Sequence, residues 1–231
     1  MDNCKEILIA NKYYEDLVFK PVRSRLDFIE VLMNTAKIAR SLGEGRGASS
    51  SNQCYSKILL INSKNSRLRR VFFLSEKKKF SLYFPFNTSL NSLGTLDFQW
   101  KNIVIDENVT SLVQTIIEGF SDNSHDLHTC LEEYLTDPSV YKTLEPEDEY
   151  KVRFSMELFS YLLTTEPGYL RYDDDDSMRM NADFHPRYHL DIFSEEATFK
   201  LGLTRKLEDH DFLDLMSSSS KCFYVVNAGP D

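Results

Sequence analysis

The chain is poor in the residues that mark special classes of protein. Eight glycines and seven prolines in 231 residues exclude a collagen-like, low-complexity or linker sequence. Four cysteines, Cys4, Cys54, Cys130 and Cys222, fall at intervals that match neither a CxxC metal knuckle nor a compact disulfide scaffold, so they read as reduced structural thiols. No stretch approaches the roughly 18 uninterrupted apolar residues of a membrane helix, which predicts no membrane association. Met1-Asp2-Asn3-Cys4-Lys5-Glu6 lacks a cationic lead into an apolar run, and the expected location is cytoplasmic. Positive charge is also short: 27 Lys and Arg stand against 36 Asp and Glu, a formal net charge of -9. That balance removes a whole-molecule field that would grip nucleic acid without discrimination, while leaving room for a local basic patch. No Walker, dinucleotide, serine-elbow or catalytic Cys/His fingerprint occurs.

What is present is core material. Hydrophobic residues make up 42% and aromatics 13%, with 16 Phe and 12 Tyr, enough for one substantial core or two small ones. Leu26, Ile29, Leu32, Met33, Ala36 and Ala39 recur at three-and-four spacing and predict an amphipathic helix over Ser24–Leu42, capped by Ser24 or Asp27. It should stop at Gly43-Glu44-Gly45-Arg46-Gly47; these glycines follow a helix and precede a strand, the reverse of a phosphate cradle. Three β-rich runs follow, Tyr55–Ile61, Leu68–Leu74 and Phe80–Phe86, which read as an antiparallel meander. Between Lys64 and Lys79 seven cations oppose Glu76 alone, a local charge of +6. Such a run reads as a solvated face or edge-strand guard, or as a phosphate-contacting patch. A strand at Ile103–Ile105 leads into a helix carrying Val109, Leu112, Val113, Ile116 and Ile117. Residues 122–149 then hold nine acids and one lysine, a local charge of -8. This is either a hinge or an acidic surface, and it can also face the basic meander within the same chain.

The C-terminal third alternates. Tyr150, Val152, Phe154, Met156 and Leu158 read as one face of a long strand, with a helix through Leu163 as the competitor. Tyr169–Asp173 and His185–Phe193 read as the next strands, followed by Phe199–Leu203, a helix near Glu208 and a last strand at Cys222–Val226. In these strands Leu170 and Tyr172, then Pro186, Tyr188, Leu190 and Ile192, point to one side, the covered apolar face. Opposite them the pattern collects Arg153, Glu157, Tyr169, Arg171, Asp173, His185, Arg187, His189, Asp191 and Lys200. The fold expected is α+β, a mainly antiparallel sheet with an N-terminal helix and helices packed on one face. It is read as a single domain over 1–231, with a division near 122–149 as the alternative.

Two histidines, several guanidinium groups and several carboxylates on one sheet face can do acid/base chemistry on a phosphodiester. One imidazole takes a ribose 2'-hydroxyl proton, a second protonates the leaving oxygen, and Arg or Lys holds the added phosphoryl charge. His185, His189, Asp191, Arg171, Arg187 and Asp173 are the candidate catalytic set, and Lys200, Tyr169 and Arg153 the candidate substrate contacts. The opposing reading is a solvated face whose ion pairs contribute little. A metal set is chemically conceivable from His189 and Asp191 with His185 or the Asp173–Asp176 run. The abundance of Arg opposes a dication unless an anionic substrate is held, so no metal and no cofactor are expected.

Gly168-Tyr169-Leu170-Arg171-Tyr172-Asp173, His185-Pro186-Arg187-Tyr188-His189-Leu190-Asp191 and Thr198-Phe199-Lys200-Leu201-Gly202-Leu203 together resemble the signature of a bacterial family, domain of unknown function 2290. The resemblance covers the last third of the chain. It implies a cytoplasmic prokaryotic protein from a mobile-element or phage-defence setting. A shorter toxin family carries a similar RYD and HPxxHLH pattern, where this chain has Asp191 in place of the last histidine. The resulting expectation is a defence or toxin-type protein performing metal-independent RNA cleavage. Its alternative is a non-catalytic subunit that docks a protein partner: an ATPase, a nuclease or an antitoxin.

Overall fold

A computed structural model describes residues 4–9, 12–42, 56–62, 69–92, 94–122, 146–176, 186–194, 197–217 and 220. The glycine-rich loop, most of the acidic stretch, His185 and the expected last strand lie outside the described residues. In chain order the elements are β1 (Cys4–Ile9), α1 (Lys12–Val18), α2 (Arg25–Leu42), β2 (Ser56–Asn62), β3 (Arg69–Ser75), β4 (Lys78–Tyr83), β5 (Asn87–Leu90), β6 (Leu96–Trp100), β7 (Ile103–Val104) and α3 (Glu107–Asp122). They continue with α4 (Pro146–Thr164), β8 (Leu170–Asp174), β9 (Tyr188–Ser194), β10 (Ala197–Gly202) and α5 (Asp209–Asp214). The fold is α+β. Seven strands form one sheet in the order β1-β2-β3-β4-β8-β9-β10, antiparallel throughout, and β5-β6-β7 form a smaller one.

The predicted first helix is α2. Ser24 Oγ accepts the Asp27 N–H at 3.1 Å, which satisfies one donor left over at the helix start, and the Asp27 carboxylate in turn accepts from the Ser24 hydroxyl and from the Arg23 N–H just before the helix. Phe28, Ile29, Val31, Leu32, Met33, Ala36 and Ala39 are buried, so the apolar stripe is wide and faces the sheet and neighbouring helices.

Tyr150–Leu158 belongs to a helix rather than the expected strand, which decides in favour of the competing reading. Pro146 is its first residue, where a missing N–H costs nothing and the fixed φ is already helical. Val152, Ser155, Met156, Phe159 and Leu162 are buried at three-and-four spacing. The two-residue alternation over nine residues is a coincidence inside a longer helical pattern. Arg153 therefore leaves the candidate sheet face: its guanidinium pairs with Glu149 one turn back at 2.9 Å, and Glu157 pairs with Lys101 at 3.0 Å.

Pairing of β4 with β8 joins the N-terminal meander and the C-terminal strands into one sheet. One face carries the larger core, where Ile58, Val71, Phe73, Phe80 and Leu82 meet α2, α3 and α4. The other face is apolar too: Leu59, Phe72, Leu74, Leu170, Tyr172 and Leu190 meet Leu207 and, from α5, Phe212. The expectation of one apolar and one polar face thus holds only locally, towards β10.

At α5, Asp209 receives Lys57 at 2.8 Å and the buried Lys79 at 3.2 Å. Burial pushes its carboxyl up, but the two ammonium groups more than offset this and hold it below the ordinary value. A depressed folded-state pKa contributes stability that is complete above the unfolded value of about 3.9 and lost as pH falls through the folded one. Asp209→Asn should therefore flatten the acid side of the stability profile below about pH 4, and leave its shape above about pH 5 unchanged. Urea unfolding across that range checks it; parallel profiles would mean that the lysines do not act on Asp209.

Candidate functional site

Antiparallel register alone places the polar residues. Across one face the row Phe73, Phe80, Arg171, Asp191, Lys200 runs from β3 to β10, leaving the apolar core and turning charged at β8. The neighbouring row is Lys78, Asp173, His189, Gly202. Cross-strand neighbours on one face lie within side-chain reach, so the rows converge into a single cluster.

Arg171 is its hinge. Its Nε donates to Asp173 Oδ2 at 2.6 Å and its Nη2 to Asp191 Oδ2. Burial would lower its pKa, but Tyr169, Asp173 and Asp191 more than offset that and hold the guanidinium charged. His189 is 4% exposed, and its Nδ1 lies 3.0 Å from the Pro186 carbonyl oxygen. A carbonyl can only accept, so Nδ1 carries a proton. Nε2 faces Asp173 Oδ2 at 3.6 Å and Asp191 Oδ1 at 3.9 Å. Lys200 Nζ stands 4.0 Å from the same Asp191 Oδ1. Asp191 is 4% exposed, and Oδ1 accepts no hydrogen bond among the described residues. The cluster reaches solvent mainly through Lys200, with Asp173 and Arg171 partly covered.

Of the candidate residues, Arg171, Asp173, His189, Asp191 and Lys200 come together. Arg187 does not. It precedes β9 rather than belonging to it, so strand alternation does not govern it, and its guanidinium bonds Asp174 Oδ1 at 2.9 Å and lies over the Tyr188 ring. Tyr169 is a core residue, 3% exposed and edge-on to Phe80 at 5.8 Å, and cannot stack on a substrate. His185 lies outside the described residues.

Two neighbours escape a sequence reading. Lys78 is half-buried beside Asp173 in the row, donates to the Phe19 carbonyl at 2.7 Å, and has its pKa lowered by burial and by Arg171. In the sequence it is one lysine of three, and only the β4–β8 pairing, between segments far apart in the chain, sets it apart. Gly202 is the other. A Cβ there would stand 3.1 Å from the Pro186 ring, so the bare glycine lets Pro186 lie over β10 with its carbonyl on His189.

No protein-family model matches the chain, and neither a curated protein nor a solved structure matches it. Among the described residues no helix is long and apolar enough to cross a membrane.

Proposed function

We propose that the chain is a prokaryotic defence or toxin-type protein that cleaves nucleic acid, RNA in the first instance, at the β8–β10 face. The observation that carries this is the His189 imidazole, oriented by the Pro186 carbonyl, with Nε2 flanked by two carboxylates and Lys200 beside them. Cleaving a phosphodiester requires a place where a hydroxyl or water gives up its proton and a place where added phosphoryl charge is held. His189 with Asp173 and Asp191 fits the first, and Lys200 with Arg171 fits the second. The GYLRYD, HPRYHLD and TFKLGL resemblance supports the same setting.

The test is cleavage of end-labelled RNA and single-stranded DNA by the full chain, with His189→Ala and Lys200→Ala alongside. The wild type should cleave RNA, and each substitution should reduce the rate by about 10²–10⁴-fold, the range general acid–base or charge-stabilising groups contribute. Wild-type protein inert on both polymers, or variants as active as the parent, would sink the proposal.

A specific feature supports a second reading, a subunit that docks a protein partner. Phe199 and Ile192 face each other across β10 and β9 and are 59% and 38% exposed. An exposed apolar pair across the last two strands of the sheet order is a surface that a partner would cover.

A further inference from the structure

We infer that Asp173, His189 and Asp191 hold a divalent cation of the manganese or zinc class. Among the described residues they form the one group of three metal-capable side chains, each offering a ligand atom, with those atoms within 4.8 Å of one another. Two acids and a histidine side by side do not make a site; a buried carboxylate oxygen aimed into them without a hydrogen bond is the second observation. Among the described residues Asp191 Oδ1 accepts no hydrogen bond although its side chain is nine-tenths buried, and it lies 3.9 Å from Nε2 of the equally buried His189. Two carboxylate oxygens and an imidazole nitrogen that converge at low dielectric are a focus of negative potential, which favours a cation there.

The geometry is close to what such an ion needs. Ligands about 2.0–2.2 Å from a tetrahedral ion lie roughly 3.3–3.6 Å apart, against 3.6 and 3.9 Å here from Nε2 to the two carboxylates. Imidazole plus carboxylates suits Zn²⁺ or Mn²⁺; Ca²⁺ calls for six to eight oxygens and Mg²⁺ for a largely hydrated octahedron. The surroundings are those of a ligating histidine, whose other ring nitrogen donates to a backbone carbonyl and whose companion carboxylates are themselves hydrogen-bonded. Arg171 supplies the latter by holding Oδ2 of both aspartates, which leaves Oδ1 of Asp191 for the ion. Arginine beside a dication is unfavourable on its own. With two carboxylates, Arg171, Lys78, Lys200 and a dication the cluster carries a formal +3, which an anion must offset. A small anion from the buffer supplies it in the free chain and a phosphodiester oxygen in a substrate complex, so the ion binds alone and more tightly with substrate. On this account His189 is a ligand, and the metal-independent route expected from residue types gives way to activation by the ion. The inference rests on the cluster geometry and stands whether or not the substrate is RNA.

Titration of the full chain, stripped with chelator, with Mn²⁺ followed by electron paramagnetic resonance and with Zn²⁺ by calorimetry tests it without nucleic acid. One ion should bind per chain, and the ¹⁵N resonance of His189 Nε2 should move to a metal-bound position. Asp173→Asn, the most exposed of the three ligands, should keep the fold while weakening affinity by more than the ~10–100-fold that loss of an outer partner costs. His189→Gln should weaken it at least as much. Arg171→Lys should fall within that 10–100-fold range. Binding at wild-type affinity in Asp173→Asn and His189→Gln, or a Nε2 resonance unmoved by metal, would overturn the inference. One ion bound by a chain that cleaves neither polymer would leave it standing and remove the nuclease proposal instead.

Discussion

An Asp191→Ala protein is expected to unfold about 3–5 kcal/mol more easily than the parent, the range for removing one partner of a buried ion pair. Asp191 is 4% exposed and is bonded to Arg171, which is itself largely covered and tied to Asp173. Deleting the carboxylate takes the acceptor from Arg171 Nη2 and leaves the largely covered guanidinium with Asp173 as its carboxylate partner. The cost comes from the under-compensated charge more than from the lost attraction, because the intact pair gains little over an apolar pair of similar volume. Arg171→Met combined with Asp191→Leu should therefore be less destabilised than Asp191→Leu alone. Urea unfolding of the four proteins with metal chelated measures this. A cost below about 1 kcal/mol for Asp191→Ala would mean that the cluster behaves as a solvated surface pair.

The reasons this cluster is partly legible in the sequence are local. Alternation along a strand requires only a strand, so Arg171 and Asp173 share a side, as do His189 and Asp191; the two-residue β9–β10 connection makes that pairing the default, while 13 residues separate β8 from β9. Arg187 breaks the rule because it sits just before β9, where side-chain direction follows the loop. Tyr169 obeys the same alternation but one residue before β8, at the margin where the helical core still covers the sheet. Arg153 fails for a different reason. Nine residues of α4 satisfy both a two-residue and a 3.6-residue period, and only the buried Phe159 and Leu162 beyond them separate the two. What no local pattern could provide is the β4–β8 contact. It brings Lys78 beside Asp173, and it decides that the charged rows continue the core face of the sheet instead of lying opposite it.

That continuity makes Phe80→Ala the other large effect expected, again about 3–5 kcal/mol, as for deleting a fully buried aromatic. Phe80 is stacked on Phe73 with centroids 4.4 Å apart, edge-on to Phe19 at 5.6 Å and to Tyr169 at 5.8 Å, and has no exposed surface. Its removal opens a void that cannot collapse easily, since the β3–β4 and β4–β8 ladders hold the backbone on both sides. Phe80→Leu should cost clearly less, by keeping most of the volume. A Phe73→Ala, Phe80→Ala cycle should show a coupling of about 0.5–1.5 kcal/mol from the stacked pair. The informative comparison joins core to cluster. Phe80 is the immediate neighbour of Arg171 in its row, and it walls the guanidinium off from the apolar interior. If that wall fixes Arg171, then Phe80→Ala should also weaken metal binding, and combined with Asp191→Ala it should cost less than the two effects added. Simple additivity, with metal affinity unchanged in Phe80→Ala, would mean that the charged rows are held by their own hydrogen bonds and do not lean on the core.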